Sequence, residues 1–313
     1  MMGLVEPTYL PLTPQHLRGH CLNSLATISR FWHLDMVEMR LRVKDFNLGH
    51  TLECGQFFQF EPQPEKGYVV WSGDSIFWCR QIGDVLEFEG IPPEKVKWIF
   101  GLDVDYRGIL NSICKDSKVE RAIKALLGLR IMRQEFFECL VTYVCSANSN
   151  IPKITKNTRL LSKFFGKRVL FRGKPYYLFP KLGDISDYKK VVAAKTGFRA
   201  RYILEINTAL STGFESRLRS MSYEAARREL MGLPGVGPKV ADCVALFSLE
   251  KFEAFPVDVW IRRTMQGLYF KGHKTSDKEL RQFASEYFGD YCGYANQFLF
   301  YAARKGIFRG FIG

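Results

Sequence analysis

The sequence contains an amine and a carboxylate, Lys239 and Asp258, that are separated by nineteen positions and lie beside a glycine-containing turn. The turn, residues 233–237, reads Leu-Pro-Gly-Val-Gly and lies between two helical patterns, 222–231 and 239–249. Its glycines, Gly235 and Gly237, allow backbone amides to approach an anion without obstruction from side chains. The segment therefore predicts a hairpin that binds a DNA phosphate without reading base sequence.

Lys239 is a candidate nucleophile because of its place in the second helix. Pro238 suits the first position of a helix, so Lys239 falls in the first turn. The positive end of the helix dipole, together with any desolvation, disfavours the ammonium form there. A neutral amine is a nucleophile, whereas an ammonium is not. The simpler alternative is that Lys239 only contacts a phosphate.

Asp258 follows Pro256 and precedes a helical pattern over 259–270, so its simplest interpretation is a helix N-cap. We expect capping to hold the carboxylate fixed and ionised. Stabilising a cationic, sugar-like transition state requires such a carboxylate.

Composition describes a chain of 313 residues, 47% hydrophobic, with a formal net charge of +13. We expect a core divided between two or three closely packed subdomains. The charge favours a polyanionic partner, although ribosomal or membrane-surface binding produces the same excess. We expect no membrane association through a spanning helix, since no apolar run reaches about 18 residues. A secretory signal pattern is lacking, so we expect a cytoplasmic protein, associated with the nucleoid in a prokaryote.

The cysteines and histidines are scattered along the chain. Eight cysteines and five histidines show no paired C-x-x-C spacing. We expect reduced, mostly buried cysteines and neither a zinc site nor an iron–sulfur cluster.

The periodicity predicts an α+β fold, an N-terminal antiparallel β-sheet domain followed by a mostly α-helical core. We divide the chain into an extension or misplaced start at 1–40, a sheet domain at 41–110 and a helical domain at 111–313. The predicted strands are 57–60, 67–71, 75–80 and 85–88. The predicted helices are 122–127, 135–145, 158–165, 189–194, 198–210, 222–231, 239–249, 259–270, 277–287 and 294–304, with a loop or ribbon between 166 and 180.

Five motifs, in order, resemble the helix-hairpin-helix DNA glycosylases and, within them, the 8-oxoguanine DNA glycosylases. They are Cys54-Gly-Gln-Phe-Phe58, Cys145-Ser-Ala-Asn-Ser-Asn-Ile151, Gly197-Phe-Arg-Ala-Arg-Tyr202, the hairpin through Lys239, and Pro256-Val-Asp-Val259. The resemblance covers residues 41–304. It implies that a damaged nucleotide is flipped from the duplex into a pocket. Lys239 would attack the sugar C1′ and form a Schiff base that allows β-elimination, and Asp258 would stabilise the cationic sugar.

The resemblance also implies how the base is read. Gly55 matches a glycine whose carbonyl accepts the hydrogen that oxidised guanine carries at N7; otherwise it is a turn glycine. Phe300 matches an aromatic that stacks on the flipped base, although a core role competes. Asn296 aligns with a glutamine that reads the Watson–Crick edge, and Gln297 beside it leaves open which one faces the pocket. Cys243 matches a cysteine next to the lysine, or is a small buried hydrophobe.

On the DNA side, Asn148 matches a residue that fills the space left by the base, and Arg199 one that bonds the orphaned cytosine. The alternatives are an asparagine at a helix end and a solvated basic face. Lys153 stands where the mammalian enzymes have arginine and lacks its bidentate geometry, so we expect weaker choice of the opposite base. Phe198 replaces a frequent tyrosine as the wedge. Trp260 replaces a histidine that contacts phosphate.

The implied partner is double-stranded DNA containing 8-oxoguanine opposite cytosine, bound by a monomer. Catalysis needs no cofactor, and the hairpin carbonyls are a candidate site for a structural monovalent or divalent cation. One alternative is an endonuclease III-like glycosylase for other oxidised bases, which usually carries a C-terminal four-cysteine cluster; only Cys292 lies in that region. An alkylbase glycosylase would lack the lysine. A non-catalytic helix-hairpin-helix protein would not require Asp258.

Overall fold

The computed structural model describes residues 38–310. A five-stranded antiparallel sheet in the order β1-β5-β4-β3-β2 is followed by a mostly helical region, as the predicted α+β class requires. The strands are β1 Met39–Arg42, β2 Phe60–Pro62, β3 Tyr68–Ser72, β4 Ser75–Ile82 and β5 Val85–Glu89, with helix α1, Leu48–Glu53, between β1 and β2.

The sheet corrects two predicted boundaries. Strand β1 begins at Met39, where it pairs with Phe88, so two residues assigned to the extension belong to the sheet. Residues 1–37 of that extension lie outside the described residues. The first predicted strand, 57–60, is wrong: Phe57 and Phe58 are both buried, and β2 begins only at Phe60. Two successive buried aromatics do not show the alternation of a strand with one exposed face.

The helices follow the sheet in chain order. They are α2 Pro93–Ile99, α3 Tyr106–Ile113, α4 Ser117–Ala125, α5 Phe136–Cys145, α6 Ile151–Phe165, α7 Tyr188–Ala193, α8 Arg199–Ala209, α9 Phe214–Ser220, α10 Tyr223–Met231, α11 Pro238–Ser248, α12 Val259–Tyr269, α13 Asp277–Phe288 and α14 Cys292–Arg304. The predicted ribbon between 166 and 180 is present as β6 Arg168–Phe171 paired with β7 Lys174–Tyr177.

Helix α6 begins seven residues earlier than the predicted 158. Asn150 is its N-cap and accepts a hydrogen bond from the Lys153 amide at 3.0 Å. Pro152 lies in the first turn, where a missing amide hydrogen costs nothing. Lys153 therefore belongs to the start of a helix rather than to a loop.

Gln56 joins the segment before β2 to the helical region. Its Nε2 donates to the Arg130 carbonyl at 2.7 Å, and its Oε1 accepts from the Met132 amide at 2.9 Å. Its own carbonyl accepts from the Tyr143 hydroxyl at 2.9 Å. Because buried hydrogen bonds of this kind are costly to break, they fix the neighbouring Gly55 against the helical core.

Neither a membrane-spanning helix nor a disulfide bond is present among the described residues. No helix within residues 38–310 has the length and apolar character needed to cross a membrane. The seven cysteines in this range are free thiols, and all except Cys114 are buried.

Candidate active site

The predicted hairpin connects α10 to α11. Gly235 adopts a φ of +73°, and a Cβ there would lie 2.6 Å from the ring of Tyr202, so glycine is required by conformation and by space. Gly237 is the N-cap of α11, with Pro238 at the first helical position as predicted. The turn thus presents the amide end of α11 beside Lys239, an arrangement that favours an anion.

Lys239 is held by neutral groups. Its Nζ donates to Ser146 Oγ at 2.8 Å, and Ser146 Oγ in turn donates to the Tyr143 carbonyl at 2.6 Å. The Nζ also lies 4.9 Å from the centre of the Tyr143 ring. Among residues 38–310 no carboxylate forms an ion pair with it. The amine is therefore oriented by a hydroxyl and an aromatic face rather than by a direct ion pair.

Asp258 is the N-cap of α12, as predicted, and its Oδ1 accepts from the Ile261 amide at 2.7 Å. Burial nevertheless raises the pKa of this carboxyl, and the opposing effects of the Ile261 amide and of Lys239 do not cancel that effect. The cap fixes the carboxylate in place, as expected, while burial opposes its ionisation. A desolvated carboxylate interacts more strongly with a cation formed beside it, because few water molecules compete.

A partly open pocket of about 360 Å³, a volume that includes open solvent, brings the two groups together with the predicted base-binding residues. Seven predicted site residues line it: Lys239, Asp258, Gly55, Cys243, Asn296, Gln297 and Phe300. Tyr143, Phe247, Pro256 and Ile261 complete the wall. The mixture of aromatic faces and few polar groups is typical of a pocket for a flat, polar ring.

Gly55 enters the cavity wall with a φ of +93°. A Cβ at this position would lie 2.7 Å from Ile151 Cδ1 and 2.8 Å from Arg304 Nη1. Among residues 38–310 no donor reaches its carbonyl oxygen, although the Cys54 carbonyl before it accepts from Arg304 at 3.1 Å. The Gly55 carbonyl is thus an available acceptor on a backbone that only glycine fits.

The wall formed by α14 shows how Asn296 and Gln297 differ. Asn296 donates to the Pro256 carbonyl at 2.9 Å, which uses part of its amide to fix the loop before Asp258. Gln297 is equally buried, but its Nε2 has no partner among the described residues. Both line the cavity, and Gln297 is the one with a free amide donor. Phe300 is partly buried and packs against the core. It also lines the cavity, so its position is compatible with both predicted roles, stacking on the base and packing in the core.

Cys243 follows Lys239 by one helical turn and is buried. Burial raises the pKa of its thiol to about 12, outweighing the nearby Lys239. The residue is therefore a neutral thiol at physiological pH. It is both a small buried side chain and part of the cavity wall, so the two alternatives do not exclude each other.

Four of the predicted DNA-contacting side chains are exposed: Phe198 by 58%, Trp260 by 46%, Lys153 at the start of α6, and Asn148. Asn148 has a φ of +48° in the turn after α5. A left-handed asparagine of this kind projects from a turn more readily than most residues.

Arg199 differs from its expected setting, since it is only 2% exposed. Its guanidinium donates to the carbonyls of Thr196 at 3.0 Å and Asn148 at 3.2 Å, and also to that of Ala147. A solvated basic face is thus wrong for this residue. Arg199 holds the turn that carries Asn148 in place. A direct contact with a cytosine would have to use a guanidinium N–H group that already donates to one of these carbonyls.

Sequence reasoning missed three residues of the site. Ser146 lies within the motif 145–151, but nothing local marks it as a partner of Lys239. Tyr143 and Phe247 stack at 5.4 Å between ring centres, with planes 13° apart. Their positions on α5 and α11 read as ordinary core positions, so only the tertiary packing reveals them.

A helix-hairpin-helix with a lysine at its second helix, a capping aspartate and an adjoining aromatic pocket define a DNA glycosylase that uses an amine nucleophile. Similarity to known proteins supports the same class of enzyme. The 8-oxoguanine DNA glycosylase N-terminal domain family matches residues 38–140. A probable N-glycosylase/DNA lyase of Methanothermobacter thermautotrophicus is 30% identical, over 85% of this chain and 96% of that protein.

Two solved structures are similar over most of the chain. The Clostridium acetobutylicum 8-oxoguanine glycosylase/lyase, in complex with double-stranded DNA containing cytosine opposite 8-oxoG, has a TM-score of 0.80 and 32% identity, covering 88% of this chain and 100% of that one. MBOgg1, in complex with a low-affinity DNA ligand, has a TM-score of 0.81 and 35% identity, covering 86% and 96%. The chain belongs to the 8-oxoguanine DNA glycosylase family of N-glycosylase/DNA lyases.

Proposed function

We propose that this protein excises 8-oxoguanine from duplex DNA and then cleaves the strand 3′ to the abasic site. The observation that carries the proposal is the single cavity in which Lys239, Asp258 and the Gly55 carbonyl meet. The amine supplies the nucleophile, the carboxylate stabilises charge and the carbonyl selects the base. Relatives named N-glycosylase/DNA lyase support both activities.

The chemistry follows from the two groups. The neutral Lys239 amine attacks C1′, the glycosidic bond breaks, and the bonding electrons leave with the base, which takes up a proton. Asp258 stabilises the positive charge that develops on the sugar. The nitrogen loses a proton, its lone pair forms a double bond to C1′ as the C1′–O4′ bond breaks, and O4′ takes up the proton, which gives an iminium and an open sugar ring. Removal of a C2′ proton then expels the 3′ phosphate by β-elimination. Lys239 itself is the nucleophile, so no catalytic cofactor is needed.

Selection of the base rests on Gly55. The N7 of 8-oxoguanine carries a hydrogen that the free Gly55 carbonyl accepts, whereas the N7 of guanine is itself an acceptor. Two acceptors facing each other in a buried pocket cost about 1–3 kcal/mol. Gln297 and Asn296 read the remaining polar edge, and Phe300 and Cys243 pack on the faces of the ring.

Reading of the opposite strand rests on the turn after α5. Asn148 fills the space left by the flipped base, with Phe198 as an aromatic wedge and Trp260 beside the damaged strand. Arg199 and Lys153 contact the orphaned cytosine. The ammonium of Lys153 cannot make the planar, two-bonded contact of a guanidinium, so the preference for cytosine is weak.

We also propose a structural cation, a monomeric state and a cytoplasmic location. The hairpin carbonyls hold a structural monovalent or divalent cation beside the phosphate; the Leu233 carbonyl accepts from the Val236 amide at 3.2 Å and keeps a second lone pair for such an ion. The protein acts on DNA as a monomer, and it resides in the cytoplasm.

Excision rates on duplexes carrying 8-oxoguanine opposite each of the four bases test the proposal, with guanine opposite cytosine as the control. We expect excision of 8-oxoguanine, none of guanine, and rates against the four partners that differ by less than about tenfold, because one lost hydrogen bond is worth about 1 kcal/mol. Excision of guanine at a similar rate would rule out the role of Gly55. A strong preference for cytosine would contradict the role of Lys153.

A further inference from the structure

One face of helix α6 carries only positively charged side chains among its ionisable groups. Helix α6, Ile151–Phe165, contains no acidic residue and has Lys153, Lys156, Arg159 and Lys163 at spacings of three and four. These spacings place the four side chains on the same side of the helix. All four residues are exposed, whereas Ile154, Asn157, Thr158, Leu161 and Ser162 face the protein. We call the four cations the α6 basic face.

The charges of the α6 basic face are not neutralised by the protein. Within residues 38–310 the ammonium groups of Lys153, Lys156 and Lys163 have no acidic partner, and Arg159 donates to the Phe60 carbonyl at 2.6 Å. Some cations on other helices are paired, as Arg219 is with Glu215 on α9. Like charges at these spacings destabilise a helix by about 0.2–0.5 kcal/mol per pair, and positive charge near an N-terminus adds to the cost. An anionic partner would remove that cost.

The far end of the face opens into a groove between α6 and the β6–β7 ribbon. Arg159 and Lys163 line one side of this groove of about 530 Å³, and Trp71, Tyr176 and Tyr177 line the other. Its one acidic residue, Glu61, is paired with Lys174. Trp71 is 4% exposed. Cations beside aromatic surfaces suit a sugar–phosphate backbone.

The position of α6 identifies the partner. The helix begins three residues after Asn148, and Lys153 lies in its first turn, so the face starts beside the proposed contacts with the opposite strand. Lys163 lies about 15 Å further along the helix axis, at 1.5 Å per residue. That distance corresponds to roughly four base pairs at 3.4 Å each. We propose that the α6 basic face and its groove bind the phosphate backbone of the substrate duplex about four base pairs from the lesion.

This inference rests on the proposed function, and its test keeps the two apart. The variant is Lys156→Gln with Lys163→Gln, since neither residue belongs to the proposed site. The matched control is Lys44→Gln with Lys115→Gln, two exposed lysines in loops away from α6. All proteins are first assayed for excision of 8-oxoguanine. If the wild type does not excise 8-oxoguanine, that result overturns the proposed function but not the proposal that the α6 basic face binds DNA.

The measurement is the dependence of affinity on salt, using a duplex of about 25 base pairs. Each phosphate contact contributes about 0.9 to the slope of log Kobs against log[salt]. We expect the α6 variant to lose about 1.8 from the wild-type slope and the control variant to keep that slope. Excision at saturating enzyme should be unchanged in both. An unchanged slope in the α6 variant, or an equal loss of slope in the control variant, would overturn the proposal. The α6 basic face would then be a surface for an acidic protein rather than for DNA.

Duplex length locates the contact. The affinity difference between wild type and the α6 variant is measured on duplexes cut to about three base pairs beyond the lesion, first on one side and then on the other. We expect the difference to disappear for one of the two truncations, because the phosphates that Lys156 and Lys163 bind are then missing. A difference that persists for both would mean a general effect of charge and would contradict a defined surface.

Discussion

Lys239 and Asp258 lie at the N-terminal ends of two helices, α11 and α12, which face one cavity. Local sequence predicts both positions because a proline and a cap mark each helix start. Local sequence does not predict the burial that raises the pKa of Asp258. Nor does it reveal Ser146, which reaches Lys239 from 93 residues away. Roles that depend on local backbone were predictable, whereas those that depend on tertiary contacts were not.

Asp258→Asn should separate activity from stability. The folded protein raises the pKa of Asp258, so the ionised carboxylate costs stability above that pKa, and the cost disappears as the pH falls below the unfolded value. Asparagine caps helices equally well. We expect a melting temperature a few degrees above wild type at pH 7, with the difference shrinking towards pH 4. Excision should fall on the order of 100-fold.

Melting curves at both pH values and single-turnover excision measure these effects, with DNA affinity as the control. We expect affinity to change little, because Asp258 acts on the developing charge. A variant less stable than wild type at pH 7 would contradict the burial argument, and unaltered excision would contradict the electrostatic role.

The C-terminal end of α5 and the turn to α6 connect the nucleophile to the opposite strand. Ser146 caps α5 and bonds Lys239, and Asn148 follows two residues later. Arg199 at the start of α8 clamps this turn through its carbonyls. The helix patterns of α5 and α8 were predictable. The early start of α6 at Ile151, with Pro152 in its first turn, was missed.

Ser146→Ala should slow Schiff-base formation. Its hydroxyl hydrogen is used by the Tyr143 carbonyl, so towards Lys239 it acts only as an acceptor that orients the amine. Losing one hydrogen bond to the amine should cost about 1.5 kcal/mol, roughly tenfold in rate. Single-turnover borohydride trapping measures this rate. Ser146→Thr is the matched control and should restore most of it.

Equal trapping rates for Ser146→Ala and wild type would mean that the bond does not position the amine. If Ser146→Thr were as slow as alanine, packing of the turn rather than the hydroxyl would be responsible.

At the scale of the whole molecule, the cavity exists because distant segments converge. Gly55 comes from the segment between α1 and β2, Tyr143 from α5, Lys239 from α11 and Phe300 from α14. Gln56 holds the first of these against the helical core. The α+β class and the order of domains were predictable from periodicity. The convergence was not, because no local pattern specifies which helix faces meet.

The central claim is that Lys239 forms the covalent intermediate. Borohydride is added to the protein with a duplex containing 8-oxoguanine opposite cytosine, and the trapped peptide is identified by mass spectrometry. Wild type and the matched control Lys115→Gln should yield a DNA adduct on Lys239, and Lys239→Gln should yield none and lose excision. Trapping or excision by Lys239→Gln at the wild-type rate, or an adduct on another residue of the wild type, would contradict the account.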